Sequence, residues 1–392
     1  MVPNSVRMEG FAVVHDSGSA SGTRIFLLSH HGGNNISIRD VKVVGFDNAL
    51  KAETFGWTCD STCNGGRMVI VDSEFTGFEN LVLGWGSASG YKIHISRSVF
   101  AHHASGSGEH HLLYLKPAEV VIDGCEFVRT FDSSQSTAVH VEGSGNSGTT
   151  LTVTNSTFHV GVERAIMANA SQRTIVSGCK FYRDETLGPA SRIDIGARGD
   201  LVVSNSVFSG EGGAEVIYAP NPGAINVLVQ NSIFDLTKGG IWFQPGPGLW
   251  TFANSRFSGD TQYLLFSVSP ANTTRFIGVD VEVDDTNYLG GCVAGARQDL
   301  FYSRGGTLSF RGSSLKGECA GFLIFPNQSD CRLEIQDSVL GGNARVETEA
   351  CSQGYACFAW GNRNWFGDSF TEFYRSGWVH TLEEHPHKLS AP

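Results

Sequence analysis

At 392 residues the chain is longer than one ordinary hydrophobic core fills, so it holds two or three domains unless it is a repeat that grows in one dimension. A charged fraction of 17%, 48 glycines, 26 phenylalanines and no long helix-forming runs point to β structure. The net charge of −11 argues against a protein that coats a nucleic-acid backbone, and no apolar run approaches the roughly 20 residues that span a bilayer.

The first element is already under way by Val6, and the opening MVPNSVRMEGFAVV shows no secretory signal pattern. A repeat with a bare end exposes unpaired backbone, so an upstream part, a partner or a loop is expected over it. From there one pattern recurs: an Asn, Asp or Gly, then a Ser or Cys, a variable residue, and a Phe or aliphatic. Its last position falls at Val13, Val43, Phe75, Phe100, Phe127, Phe158, Phe181, Phe208, Phe234, Phe257, Val281, Leu315 and Leu340, at intervals of 23 to 34 residues. A period in this range signals a solenoid. Three residues before the marker stand Asp40, Asp72, Arg97, Gly124, Asn155, Gly178, Asn205, Asn231, Asn254, Gly278, Gly312 and Asp337. All but Arg97 tolerate the left-handed backbone region, which predicts a sharp bend there in each coil. The next column, Ser73, Ser98, Cys125, Ser156, Cys179, Ser206, Ser232, Ser255, Ser313 and Ser338, is read as small side chains stacked in register.

Short alternating runs flank each bend, as in VVIDG, LTVTN and LVVSN, and a second run follows each marker after a loop, as in LLYLK, AVHVE, AIMAN and RIDIG. Alternation in runs of four to six is the strand signal. Coils such as VTNSTF followed by AIMAN resemble the right-handed parallel β-helix, or pectin lyase-like, family over about residues 6 to 345. That resemblance implies an all-β solenoid of about 12–13 coils. It also implies an Asn ladder at the bend after the second strand, the strand before it belonging to the sheet of the usual substrate groove. Residues 1–350 are assigned to the solenoid. Residues 351–392, with Trp360, Trp365, Phe366, Phe370, Phe373, Tyr374 and Trp378, are read as an irregular aromatic-rich cap and tail.

Cysteine spacing adds a compartment. Cys59 and Cys63 flank a short loop, as do Cys351 and Cys357, while Cys319 and Cys331 fall on neighbouring repeats, so disulfides and a secreted or cell-surface location are expected. Cys125 and Cys179 share one repeat position and are read as buried packing thiols. Sequons at Asn35, Asn155, Asn169, Asn272 and Asn327 would accept glycans only in a eukaryotic secretory pathway.

Alternation also sorts the second run into faces. Leu113 and Leu115, Val139 and Val141, Ile166 and Ala168, and Ile193 and Ile195 point inward. One outward column is then Tyr114, His140, Met167, Asp194, Tyr218 and Trp242, and a second is Lys116, Glu142, Asn169, Gly196, Pro220 and Gln244. With coils about 4.8 Å apart, Tyr114 and His140 are neighbours, and Glu142 and Asp194 lie roughly 10 Å apart. Polysaccharide cleavage by β-elimination needs a base, an acid and a cation at the uronate carboxylate; His140 or Tyr114 supply the first two, Lys116 or Arg198 the third. Hydrolysis needs two carboxyl groups, ~6.5 to 9.5 Å apart for inversion, which Glu142 and Asp194 approach. Met167 and Asn169 carry no evident chemistry. His110 and His111, with His102 and His103, rim the groove, while Tyr218, Trp242, Gln244 and Phe266 extend it as a strip for sugar rings or as ordinary ladder partners.

The acidic and Arg set of calcium-dependent pectate lyases and the paired Asp of polygalacturonase-like hydrolases do not map onto consecutive coils. No cofactor is required, with Ca2+ left open. The expectation is an extracellular carbohydrate-active protein, lyase ahead of glycoside hydrolase, with a polysaccharide partner and the oligomeric state open. A non-catalytic fibre or adhesin is the rival.

Overall fold

The computed structural model describes residues 5–14, 24–30, 35–44, 54–59, 66–76, 80–85, 92–102, 111–115, 119–129, 137–142, 148–160, 164–169, 171–183, 192–211, 214–219, 223–267, 269, 271–284, 300–303, 305–317, 321–324, 331–342, 345–348, 358–362, 365–366, 371–374, 379–382 and 387–388. The chain divides into two compact units, Met1–Leu201 and Val202–Pro392. Every regular element among the described residues is a strand.

In the first unit each coil from Arg67 onward contributes three strands, which pair in parallel with their counterparts on neighbouring coils; in the coils before it a single strand, Ser5–Val14 or Asn35–Val44, runs through the bend. The strands before the bend include Arg67–Val71, Lys92–Ser96, Glu119–Asp123, Thr149–Thr154 and Ser171–Ser177. Those after it include Glu74–Thr76, Val99–His102, Glu126–Arg129, Thr157–Val160 and Lys180–Arg183. The third ladder holds Asn80–Trp85, His111–Leu115, Thr137–Val141, Arg164–Ala168 and Arg192–Ala197. Alternation puts one face of each strand inward. Phe75, Phe100, Phe127, Phe158 and Phe181 form one such file, rings stacked at 5.5, 5.3, 4.7 and 4.8 Å. All five are at most 2% exposed, so the repeating Phe is the spine of the core.

The second unit repeats the plan. Ile225–Gln230, Gly248–Ala253, Asn272–Ile277, Gly306–Arg311 and Cys331–Gln336 stack in parallel, and Phe252, Phe276 and Phe310 line up at 4.8 and 5.0 Å. Strands continue beyond residue 351. Phe358–Asn362 pairs with Cys331–Gln336, and Val379–Leu382 pairs with Phe358–Asn362.

Every bend residue expected from the sequence has positive φ, between 46° and 66°. Arg97, the type least suited to that region, takes φ 46° while its guanidinium grips Asp72 on the preceding coil at 2.7 and 2.8 Å. The small-residue column proves to be a hydrogen-bond ladder and more than a packing file. Ser156 Oγ donates to Thr154 O at 2.8 Å and accepts the Cys125 N–H at 3.1 Å. Ser73, Ser98, Ser206, Ser232, Ser255, Ser313 and Ser338 each donate to the carbonyl two residues earlier in the same way. Backbone donors turned inward by the bend thereby find partners without water.

Cys125 and Cys179 are buried, as expected of packing thiols, and burial pushes both thiols up to about 11. The side chains of Cys59, Cys63, Cys319, Cys331, Cys351 and Cys357 lie outside the described residues, and with them the expected disulfides. Among the sequons, Asn272 is only 3% exposed and donates to Gly246 O at 2.9 Å, so the folded chain keeps its amide out of reach.

Candidate active site

The third ladder of the first unit carries the candidate residues. Register pairs Leu113 with Val139, Val139 with Ile166, and Ile166 with Ile195, all facing inward and fully buried. Two outward columns flank them. The earlier one, Leu112, Ala138, Ala165 and Asp194, is at most 4% exposed although its parity faces outward. The later one is Tyr114, His140, Met167 and Gly196, of which Tyr114 and His140 are half-buried. Open surface on this sheet therefore begins at Tyr114 and His140.

Four side chains converge there. The Tyr114 and His140 rings meet edge to face at 5.2 Å. His111 stacks on Tyr114 at 5.3 Å and meets His140 edge-on at 4.5 Å. His111 and Tyr114 are three residues apart and of opposite parity. An extra residue bulges between them relative to Asn80–Trp85, which lets both rings reach one spot. His140 Nδ1 lies 3.1 Å from His111 Nε2, and its Nε2 lies 3.2 Å from Asn169 Nδ2. His111 itself is 6% exposed and anchors the inner end of the pair, while the outer nitrogen of His140 meets the Asn169 amide.

A second outward file runs beside this cluster. Glu142 N–H donates to Leu115 O, Asn169 N–H to Val141 O and Arg198 N–H to Ala168 O, so Glu142, Asn169 and Arg198 occupy equivalent places on successive coils. Glu142 and Asn169 are half-buried and Arg198 is exposed. The sequence placed Gly196 in this file; the register puts Arg198 there and moves Gly196 beside Met167. Met167 is only 9% exposed because its thioether lies over Gly196, in the space a Cβ would need.

Two expectations are corrected. Asp194 is not in the open column: it falls two residues earlier in register and is 3% exposed. The Arg183 guanidinium holds its carboxylate at 2.9 to 3.2 Å, with both side chains at most 4% exposed. A carboxylate buried and paired this way cannot face a sugar, so the Glu142–Asp194 pair dissolves. In the second unit, Tyr218 pairs with Gln244 and not with Trp242, which is fully buried in a column with Val216, Leu264 and Leu300. The open column there is Tyr218, Gln244, Phe266 and Tyr302, all half-buried. Phe266 and Tyr302 stack face to face at 4.7 Å, so they occupy each other's faces as ladder partners.

Lys116 and His110 lie outside the described residues, as do His103 and the His102 side chain. No group of three or more potential metal ligands occurs among the described residues, and no helix among them is long and apolar enough to cross a membrane. The sequence placed Asn169 correctly beside Glu142 but assigned it no chemistry; its contact with His140 runs diagonally between neighbouring coils, which sorting side chains into straight columns does not show.

No curated protein and no solved structure matches the chain. A family model described as right handed beta helix region matches residues 80–261. That match, with coils stacked in parallel register within each unit, makes the fold a right-handed parallel β-helix.

Proposed function

We propose that the chain is an extracellular carbohydrate-active β-helix that cleaves an acidic polysaccharide by β-elimination at the Tyr114–His140 cluster. The observation that carries this reading is the half-exposed His140 ring set edge to face against Tyr114 and hydrogen-bonded from behind to His111. An imidazole is suited to act as base near neutral pH and a phenol as acid to an oxygen leaving group.

In this reading His140 removes the proton beside the uronate carboxylate. The electrons of that C–H bond form a carbon–carbon double bond as the bond to the glycosidic oxygen breaks, and Tyr114 gives its hydroxyl proton to the departing oxygen. The proton held by His140 then returns to the phenolate of its neighbour, which restores both groups. Arg198, exposed in the adjacent file two coils from Glu142, offers the positive charge that the carboxylate requires as negative charge builds on it. The hydrolytic alternative loses its second carboxylate with the burial of Asp194.

The test is a panel of acidic and neutral polysaccharides, read by the ultraviolet absorbance of unsaturated uronate and by new reducing ends. Absorbance should appear on an acidic glycan. His140→Ala and Tyr114→Phe should each cut the rate by about 10² to 10⁴ without changing the circular dichroism. Reducing ends without absorbance, or no cleavage across the panel by folded protein, would refute elimination; the latter would favour the fibre or adhesin.

A further inference from the structure

The acid–base scheme assigns Asn169 no task. Its position is nonetheless defined: its backbone N–H is tied to Val141 O at 3.0 Å, and its amide nitrogen lies 3.2 Å from His140 Nε2. An amide N–H2 can only donate, so Nε2 must present a lone pair. The proton of the neutral ring then sits on Nδ1, 3.1 Å from His111 Nε2, which accepts it. The three side chains thus form a directed chain, Asn169 to His140 to His111, and both nitrogens of His140 are assigned by it.

We propose that Asn169 is a positioning residue that fixes the resting His140 in the Nδ1–H tautomer, its amide holding the Nε2 lone pair until the substrate C–H takes the amide's place there. The inference rests on the acid–base reading of this cluster. It adds which nitrogen of His140 is basic and which residue makes it so. The same amide serves the protonated ring as well. Once Nε2 has taken a proton, rotation of the carboxamide brings Oδ1 to accept it, while Nδ1–H stays on His111. His111, buried behind the ring, is therefore the fixed end of the device and Asn169 the end that turns.

The test reads the tautomer directly, without turnover. Long-range proton–nitrogen correlation of the imidazoles is recorded on the full chain at a pH of about 8, above the ordinary imidazole range, with the His140 signals identified by their loss in His140→Gln. The wild type should show His140 as Nδ1–H, against the usual preference of a free neutral side chain for Nε2–H. Asn169→Ala should lose that preference. Asn169→Asp, nearly identical in shape but only an acceptor, should reverse it to Nε2–H or to the doubly protonated ring. A residue that merely packs would leave the tautomer unchanged in the aspartate variant.

Nε2–H in the wild type, or an unaltered tautomer in both folded variants, would overturn the inference whatever the activity. Conversely, a tautomer that responds as described in a protein inert on every polysaccharide leaves the positioning role intact and removes only elimination.

Discussion

Thr174 shows how much a single hydroxyl counts in this core. It lies opposite Leu151 in the file before the bend, fully buried, and its Oγ1 has no hydrogen-bond partner. A buried hydroxyl without a partner gives up hydration for nothing, so Thr174→Val, which keeps the branched shape, should stabilise the chain by about 1 kcal/mol in urea denaturation. Unchanged or lower stability would mean that the hydroxyl has a role the geometry does not show. The Arg183–Asp194 pair is the opposite case. Its charges are buried but joined by several hydrogen bonds, and the cost of removing either partner is the charge left behind. The resemblance of Asp194 to a catalytic carboxylate in the sequence came from its type and spacing, neither of which reveals a guanidinium lying across it.

At the scale of the coil, the bend and the residue after it act together. The bend turns the chain through positive φ, and the following hydroxyl accepts the backbone N–H of the preceding coil. Ser156→Ala removes the acceptor for Cys125 N–H and should cost about 1–3 kcal/mol, since a backbone donor is left unsatisfied in the interior. Cys125 and Cys179 hold the same position with a weaker donor, their Sγ atoms 3.5 and 3.6 Å from the carbonyls two residues earlier. If the column were only a file of small side chains, Ser156→Ala would be nearly neutral, and that outcome would reject the ladder. Beside this bend, Asp123 is held below the usual carboxylate range by the Thr154 hydroxyl and the Asn155 amide, which donate to it at 2.6 and 2.9 Å. The depressed pKa contributes stability above the ordinary carboxylate range, and that contribution is lost as pH falls through the lower folded value.

What the sequence made legible follows from which physical constraints are local. Bends, inward files and the Phe spine each depend on a few consecutive residues, and all are found where expected, from Asp40 to Asp337 and Phe75 to Phe181. The face of each outward residue was also legible, since parity survives a two-residue slip. Register was not. Aligning AIMAN with RIDIG and VIYAP with IWFQP displaced Asp194 and Trp242 by two residues, because the lengths of the intervening loops set the pairing and not the strands themselves. The Tyr114–His140 pair was found because LLYLK and AVHVE do align in register, whereas His111 joined it through a bulge and Asn169 through a diagonal contact from the next coil.

For the whole molecule, the scaffold is a right-handed parallel β-helix and the claim beyond it is that one cluster on the first unit breaks glycosidic bonds by elimination. The net charge of −11 supplies no long-range attraction for a polyanion, so any specificity for uronates must come from the local arrangement of Tyr114, His140 and Arg198. The most direct measurement is the mass of the oligosaccharides released from an acidic polysaccharide. Elimination gives a new non-reducing end lighter than the hydrolytic product by one molecule of water, and the account predicts that end for the wild type and its disappearance in His140→Ala. Fully hydrated ends from the wild type, or unsaturated ends that persist undiminished in His140→Ala, would contradict it.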